Sequence, residues 1–420
     1  MLDPAGRRSP FPAWAGVACA VLLAACSGGA ASGPPALHWY VFNEQSGSFA
    51  AAAKRCSAES GGAYRVDMVP LPTAADQQRS QLVRRLAAHD PAIDLVGMDV
   101  IWVPEFAAAG WILPWKGDDA RRALRDRLPS AAATARFRGR VWAAPLTANT
   151  QLLWYRSDRV TRPPATWDQM IRMAEALGDS GTIQVQGARY EGLTVFFTSL
   201  LASAGGRILA PGDTSVALPT GPTERALGVM ERLARSPAAD PALSTSREDQ
   251  GRLAFEAGRS SFMVNYTYVW PSARADAPEV ARHMAWAPWP SVIPGRPSRV
   301  TVGGIDLGVG AFTRHPRLAF QAALCLASVK SQRTAVTRGG LPPTDSLLYD
   351  DPDVRAVFPF ADLLRATLRT AVQRARTPLY TDVSLAVMDV LHPLVDIDSV
   401  ADVPRLRRAV RRALRSEGLR

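Results

Sequence analysis

The chain has 420 residues, of which 47% are hydrophobic and 21% charged, and it carries a formal net charge of +11. That length exceeds one typical domain and the apolar content is ample for more than one core, so two globular domains are expected. The positive excess is almost all Arg, with Lys only at 54, 116 and 330, and it is spread along the chain without an aromatic-interleaved basic cluster. This argues against nucleic acid as a partner.

The N-terminus opens with Arg7 and Arg8, followed by a short apolar stretch of small residues from Ala13 to Ala25. A bilayer span needs about 20 residues, so this stretch fits a signal peptide, residues 1–25, rather than a membrane anchor. It ends in Leu23-Ala24-Ala25-Cys26, which resembles the lipobox at which bacterial lipoproteins are cleaved and acylated on the cysteine. Residues 26–36, rich in Gly, Ser and Pro, read as a flexible tether. The expectation is an exported protein held at the outer face of the cell membrane by lipid on Cys26. Of the other cysteines, Cys19 leaves with the signal. Cys56 and Cys325 sit in helical patterns and are either two buried thiols or, in an oxidising compartment, a pair. Both helices are assigned to the same lobe below, so the two are expected within bridging distance.

The body begins with an apolar run, Leu37 to Phe42, that reads as a strand. Helical and strand patterns then alternate: a helix from Ser48 to Glu59, a strand from Tyr64 to Leu71, an amphipathic helix from Asp76 to His89 and a buried strand from Ile93 to Met98. Such alternation predicts parallel-type sheets flanked by helices. Ala143 to Asp158 (AAPLTANTQLLWYRSD) is an extended X-Pro step, a polar break and a dense apolar run. Two extended segments around a polar break predict a chain passing from one lobe into another. Helices are expected at Thr166–Leu177, Gly192–Ser203, Pro222–Ala234 and Ser246–Ala257, and a strand at Ser261–Asn265. Asp276 to Pro290 reads as irregular, Val300 to Val309 as a strand carrying two glycines, and helices return at His315–Lys330, Val354–Gln373 and Ser384–Leu391. The last helix, Val403–Arg415, has an apolar face of Leu406, Ala409, Val410, Ala413 and Leu414 ringed by Arg. Its modest apolar face is expected to dock on the second lobe rather than on lipid.

Ligands of open parallel sheets bind beyond the carboxyl ends of strands. The polar residues there are Asn43, Glu44, Asp99, Asn149 to Gln151, Asn265, Tyr266 and Tyr268, with Asp306 inside the glycine-bearing strand. Amides and carboxylates exchange hydrogen bonds with hydroxyls, and aromatic faces cover the C–H patches of a pyranose, so the set suits a neutral polyhydroxylated ligand. Each residue taken alone is equally at home in a turn or cap. Nucleotide loops (GxGxxG, GxxxxGK[ST]), GxSxG, HExxH and CxxC are all missing, and the five His do not pair at metal spacing. A glycoside hydrolase using Asp99 and Glu44 is the enzymatic alternative. No catalytic residue, cofactor or metal is expected.

The crossover P-x-x-x-N-x-x-x-x-Y, together with QLVRRL, MDVIWVPEFAAAGWILP, NTQLLWYR, RLAFEAG, VTVGGIDLGV, GGLP and TPLY in order through nearly the whole mature chain, resembles the extracellular solute-binding proteins that feed sugars to ABC importers. Within them the chain looks most like the mycobacterial trehalose-binding lipoproteins. The resemblance implies a monomeric, two-lobed α/β fold like that of maltose-binding protein with a multi-strand hinge, residues 37–147 plus 304–345 forming one lobe and 148–303 plus 346–420 the other. It implies trehalose or a related disaccharide in the interlobe cleft and delivery to ABC permease subunits. By position it places the ligand contacts at Asn43, Glu44, Asp99, Asn149, Glu248, Tyr266 and Arg374. Tyr266 stands where those relatives have Trp, and the stretch between Trp270 and Trp286 is shorter. From the residues alone, Glu248 reads as a solvated acid in a first helical turn and Arg374, like its neighbour Arg376, as one more surface Arg.

Overall fold

A computed structural model describes residues 33–72 and 74–416. The signal peptide, Cys26 and residues 27–32 of the tether lie outside the described residues. Among those described, the strands are β1 (Ala36–Phe42), β2 (Arg65–Leu71), β3 (Leu95–Asp99), β4 (Arg136–Phe137), β5 (Arg140–Val141), β6 (Ala144–Asn149), β7 (Leu152–Arg156), β8 (Thr182–Gln184), β9 (Ser260–Asn265), β10 (Met284–Ala287) and β11 (Gly303–Val309). Two sheets organise two lobes. The first runs β2-β1-β3-β11-β6 and the second β10-β7-β9-β8, while β4 and β5 form a small ribbon.

Both sheets are mixed. β1 pairs in parallel with β2 and β3, joined by helical crossovers, but β11 lies antiparallel to both β3 and β6. In the second sheet β7 is antiparallel to β9 and β10, and only β8 pairs in parallel with β9. The physical reason is the crossover. A chain that leaves one sheet along β6 and returns along β11 must run in opposite directions through the same hinge.

The helix Ser48–Glu59 shows how sequence makes the first layer. It buries Phe49, Ala52, Ala53 and Cys56, a spacing of three and four residues that puts them on one face. The small Ala side chains let the helix lie close to β1, whose Leu37, Trp39 and Val41 are fully buried. From the same face Cys56 reaches Cys325 on the helix Pro316–Leu326, and the two are joined in a disulfide with a Cα separation of 5.8 Å. In the second lobe the helix Glu191–Ser203 is buried almost all round. The last helix, Asp402–Leu414, buries Val403, Leu406, Ala409, Val410 and Ala413 in the same core and leaves its Arg side outward.

β6 ends at Asn149 and β7 starts at Leu152, so the chain changes sheets at Thr150–Gln151, both fully buried. β11 runs beside it, with Gly303 opposite Asn149 and Gly304 opposite Ala148. Gly304 has φ +132°, and a Cβ there would stand 2.1 Å from the Thr147 carbonyl oxygen. Only glycine fits that approach, and a register shift follows between Ile305 and Asp306. A third strand of chain passes the same point: Pro342 O accepts from Ala148 N–H, and Thr344 Oγ1 donates to Pro145 O.

Three readings of the sequence are corrected. Residues 276–290 are not irregular, since β10 pairs along β7. Trp286 is the cause, being held at 5.4 Å from Trp270 and 5.3 Å from Phe360 by aromatic packing that periodicity does not reveal. The span 315–330 is two helices, broken at Ala327–Ser328, where the Ser328 hydroxyl caps the second. The span 354–373 is likewise broken at Phe358–Phe360, which turn their rings into the core. That core is shared: the helix Ala361–Thr370 packs with Leu128 and Ala131 from the first-lobe side and with Trp154 and Phe255 from the second.

Candidate functional site

The site is built around Arg374, which follows a stretch of chain bonded to residues 300–302 beside the hinge. Its side chain is only 5% exposed. Nη2 donates to Asp99 Oδ1 at 3.2 Å and Nη1 to Glu191 Oε1 at 2.9 Å. Asp99 ends β3 in the first lobe, and its other duty is to accept from Ile101 N–H at the next turn. Glu191 is the first residue of the long buried helix of the second lobe. The guanidinium therefore joins the lobes. Burial works against its charge, but Asp99, Tyr380 and Glu191 outweigh that and hold its pKa above the ordinary range. Glu191 also accepts from the hydroxyls of Tyr380 and Ser384, the latter at 2.6 Å.

Tyr266 follows β9 and faces this group. Burial pushes its phenol well up, Glu248, Asp99 and Glu191 add to the shift, and Arg374 opposes it. The backbone that places it is fixed by Asn265, whose side chain accepts from Tyr266 N–H at 2.8 Å and donates to Glu248 O at 2.9 Å. Glu248 opens the helix Glu248–Glu256 and its carboxyl is raised by burial. Beside it lies Tyr190, whose buried hydroxyl faces the Glu248 carboxylate and whose ring is covered by the Arg247 guanidinium at 4.8 Å. Below Asp99, Asp306 is buried, and burial outweighs the nearby Thr134 hydroxyl and, with the charge of Asp99, lifts its pKa to about 8.

Of the residues singled out from sequence, the structure brings Asp99, Glu248, Tyr266 and Arg374 into one cluster across the lobes. Asn149 lies at the crossing. Its Oδ1 is buried without a partner and sits where a Cβ on residue 303 would be. Asn43 is exposed, and among the described residues no ion pair or hydrogen bond ties it to the cluster. Glu44 is engaged locally: Oε1 accepts from Ser46 N–H at 2.7 Å, and Oε2 from Ser48 N–H at 2.9 Å and Ser48 Oγ at 2.8 Å. It lies against Gly339, at the end of a segment where Gly340 meets Pro271 of the other lobe. Arg376 does not take Arg374's place; it donates to Arg136 O.

Sequence reasoning missed Glu191, Tyr190 and Tyr380. An acid in a first helical turn reads as a dipole partner, and only the pairing of Glu191 with a residue 183 positions away reveals its role. Among the described residues no group of His, Cys, Asp and Glu could hold a metal ion, and no helix is long and apolar enough to cross a membrane.

The profile of the bacterial extracellular solute-binding protein family matches residues 61–333, well over half of the chain. The chain belongs to that family. Among relatives of this solute-binding protein, a probable ABC transporter-binding protein of Deinococcus radiodurans is 26% identical over 325 residues, covering 74% of this chain and 76% of the relative. Among solved structures, maltose-bound MalE3 of T. maritima superposes with a TM-score of 0.80 at 24% identity, covering 90% of this chain and 99% of that one. The GacH receptor of Streptomyces glaucescens, solved unliganded and with acarbose, gives 0.78 at 20% identity, covering 91% and 99%. A solute-binding protein of Thermotoga lettingae bound to α-D-tagatose gives 0.78 at 20%, covering 90% and 100%. These likenesses show the two-lobed fold of maltose-binding-type receptors.

Proposed function

We propose that this solute-binding protein is the sugar receptor of an ABC importer, anchored through lipid on Cys26, and that it takes trehalose or a related disaccharide between its lobes for delivery to permease subunits. The observation that carries the reading is the cluster of Arg374, Asp99, Glu191, Glu248 and Tyr266. A neutral sugar offers only hydroxyls and C–H faces. It is held by fixed donors and acceptors from both lobes and one aromatic platform, which is the chemistry of this group. Arg374 donates, Asp99 and Glu248 accept, Asn149 does both, and Tyr266 covers a ring face. Asn43 lines the rim, and Glu44, saturated by its own chain, holds that rim in place. Solved structures of this fold with maltose, acarbose and tagatose support a sugar as the cargo class.

The reading is of a receptor that leaves its ligand intact. Thermal stabilisation and isothermal titration with a panel of trehalose, maltose, sucrose and lactose, with chromatography of each sugar afterwards, test it. One disaccharide should raise the melting temperature and be recovered unhydrolysed. A folded chain that ignores every sugar of the panel would sink the reading, and hydrolysis would replace it with the glycosidase. Binding of a disaccharide other than trehalose would keep the site and change only the cargo.

A further inference from the structure

A cavity of about 410 Å³ lies in the second lobe at the end of the helix Glu191–Ser203, and neither Tyr266 nor Glu248 lines it. Arg207, Arg299, Arg374 and Arg376 surround it, with Thr198 and Gln373 in its wall and Asp213 as the one lining carboxylate. Asp213 acts on Arg376. The guanidinium groups of Arg207 and Arg299 have no acceptor among the described residues and stand exposed at the mouth. Deeper in, two donors are buried without a partner: Nε of Arg374 and the hydroxyl of Thr198, in residues 7% and 6% exposed.

The lining is thus rich in donors and poor in acceptors. A sugar hydroxyl both gives and takes, and would leave most of these donors unmatched. An oxyanion only accepts, and the planar fork of a guanidinium fits two of its oxygens at once. Asp213 meets Arg376, and Asp99 and Glu191 meet Arg374, but Arg207 and Arg299 have no carboxylate partner among the described residues, so the partly enclosed volume stays positive and favours an anion. The volume is that of a small-molecule pocket, larger than a free phosphate requires. We propose that this cavity binds a phosphoryl group, either as inorganic phosphate or carried on a small organic molecule. The proposal shares Arg374 with the sugar reading but is tested apart from it, because Arg207, Arg299 and Thr198 belong to this cavity and not to the sugar cluster.

The test is isothermal titration of the folded chain with inorganic phosphate and, separately, with glucose 6-phosphate, at low ionic strength. At least one should bind with a Kd of about 1 mM or tighter. The Arg207→Gln/Arg299→Gln variant should weaken it about tenfold, because two charge-assisted contacts are lost. Its melting temperature and its disaccharide affinity should stay at parental values. Tighter binding of glucose 6-phosphate assigns the organic source, and equal binding assigns the free anion. Should the double variant fail to fold, Thr198→Val reads the same site through one lost donor. Absence of binding by both phosphates, or full retention of binding in these variants, overturns the proposal.

Discussion

Glu44, four residues ahead of the helix Ser48–Glu59, and Glu248, first residue of the helix Glu248–Glu256, are both half-buried carboxylates at the start of a helix. Around Glu44, burial raises the pKa, but hydrogen bonds from Ser46 and Ser48 outweigh it and hold the carboxylate below its usual range. Around Glu248 burial wins, and the pKa is raised. The difference lies in who supplies the donors. Glu44 turns back on its own backbone and closes the end of a helix whose far end is tied by Cys56 to Cys325. Glu248 is met by the Tyr190 hydroxyl and its own backbone N–H, which do not offset its burial. A helix-start acid is scaffold when its own chain saturates it, and a site residue when it does not.

The largest effect expected concerns the scaffold. The disulfide closes a loop of 269 residues, so the Cys56→Ser/Cys325→Ser variant should lose about 3–5 kcal/mol of stability. Thermal melts check this, and disaccharide affinity measured well below the melting temperature should be unchanged. If affinity fell with it, the two helix starts would not be separable as scaffold and site.

Next comes the site. Arg374→Ala removes charged hydrogen bonds worth about 1.5–3 kcal/mol and should weaken disaccharide binding ten- to a hundredfold by titration. Parental affinity in that variant would remove Arg374 from the binding set.

A smaller and sharper pair is Glu248→Gln against Glu44→Gln. The first should lower affinity about fivefold, the difference between a charged and a neutral hydrogen bond, with little change in melting temperature. The second should cost about 1 kcal/mol of stability, as the loss of a cap does, with affinity intact. Exchange of these outcomes between the two variants would invert the comparison.

The smallest effect at mildly acidic pH is that of Asp306→Asn. With a folded pKa of about 8 against about 4 in the unfolded chain, Asp306 binds a proton on folding between those values. The unfolded state binds fewer protons there, so stability from this group is full below about pH 4 and declines as pH rises toward 8. The Asn variant should match the parent below about pH 4 and show a flatter loss of stability above it. Equal slopes would show that Asp306 is ionised in the folded protein.

Much of this was legible in the sequence. The apolar run after Asn149 marked the crossing, and the alternation of strands and helices marked the first sheet, because burial on a sheet leaves a period that can be counted. The polar ends of β3 and β9 named Asp99 and Tyr266 for the same reason: strand ends are where side chains meet a cleft. Glu191 was hidden, since its partners stand 183 to 193 positions away and nothing local distinguishes it from an acid at a helix dipole. Arg374 could not be told from Arg376 by composition; only the fold puts one in the core beside Asp99 and the other against a carbonyl. β10 was missed because packing among Trp270, Trp286 and Phe360, not alternation, holds it.

The Asp99–Arg374–Glu191 bridge has a consequence for the receptor without cargo. Opening the lobes parts Arg374 from Asp99 and returns both to water. At the effective dielectric of a half-buried site such a pair attracts by about 4 kcal/mol, and rehydration gives back most of it. The expected outcome is a closed population in the empty protein that shrinks as salt screens the pair. Cargo then tips an existing balance by its differential affinity alone. Small-angle scattering of the empty chain across a salt series should show the radius of gyration growing with ionic strength, and Asp99→Asn should start from the larger value.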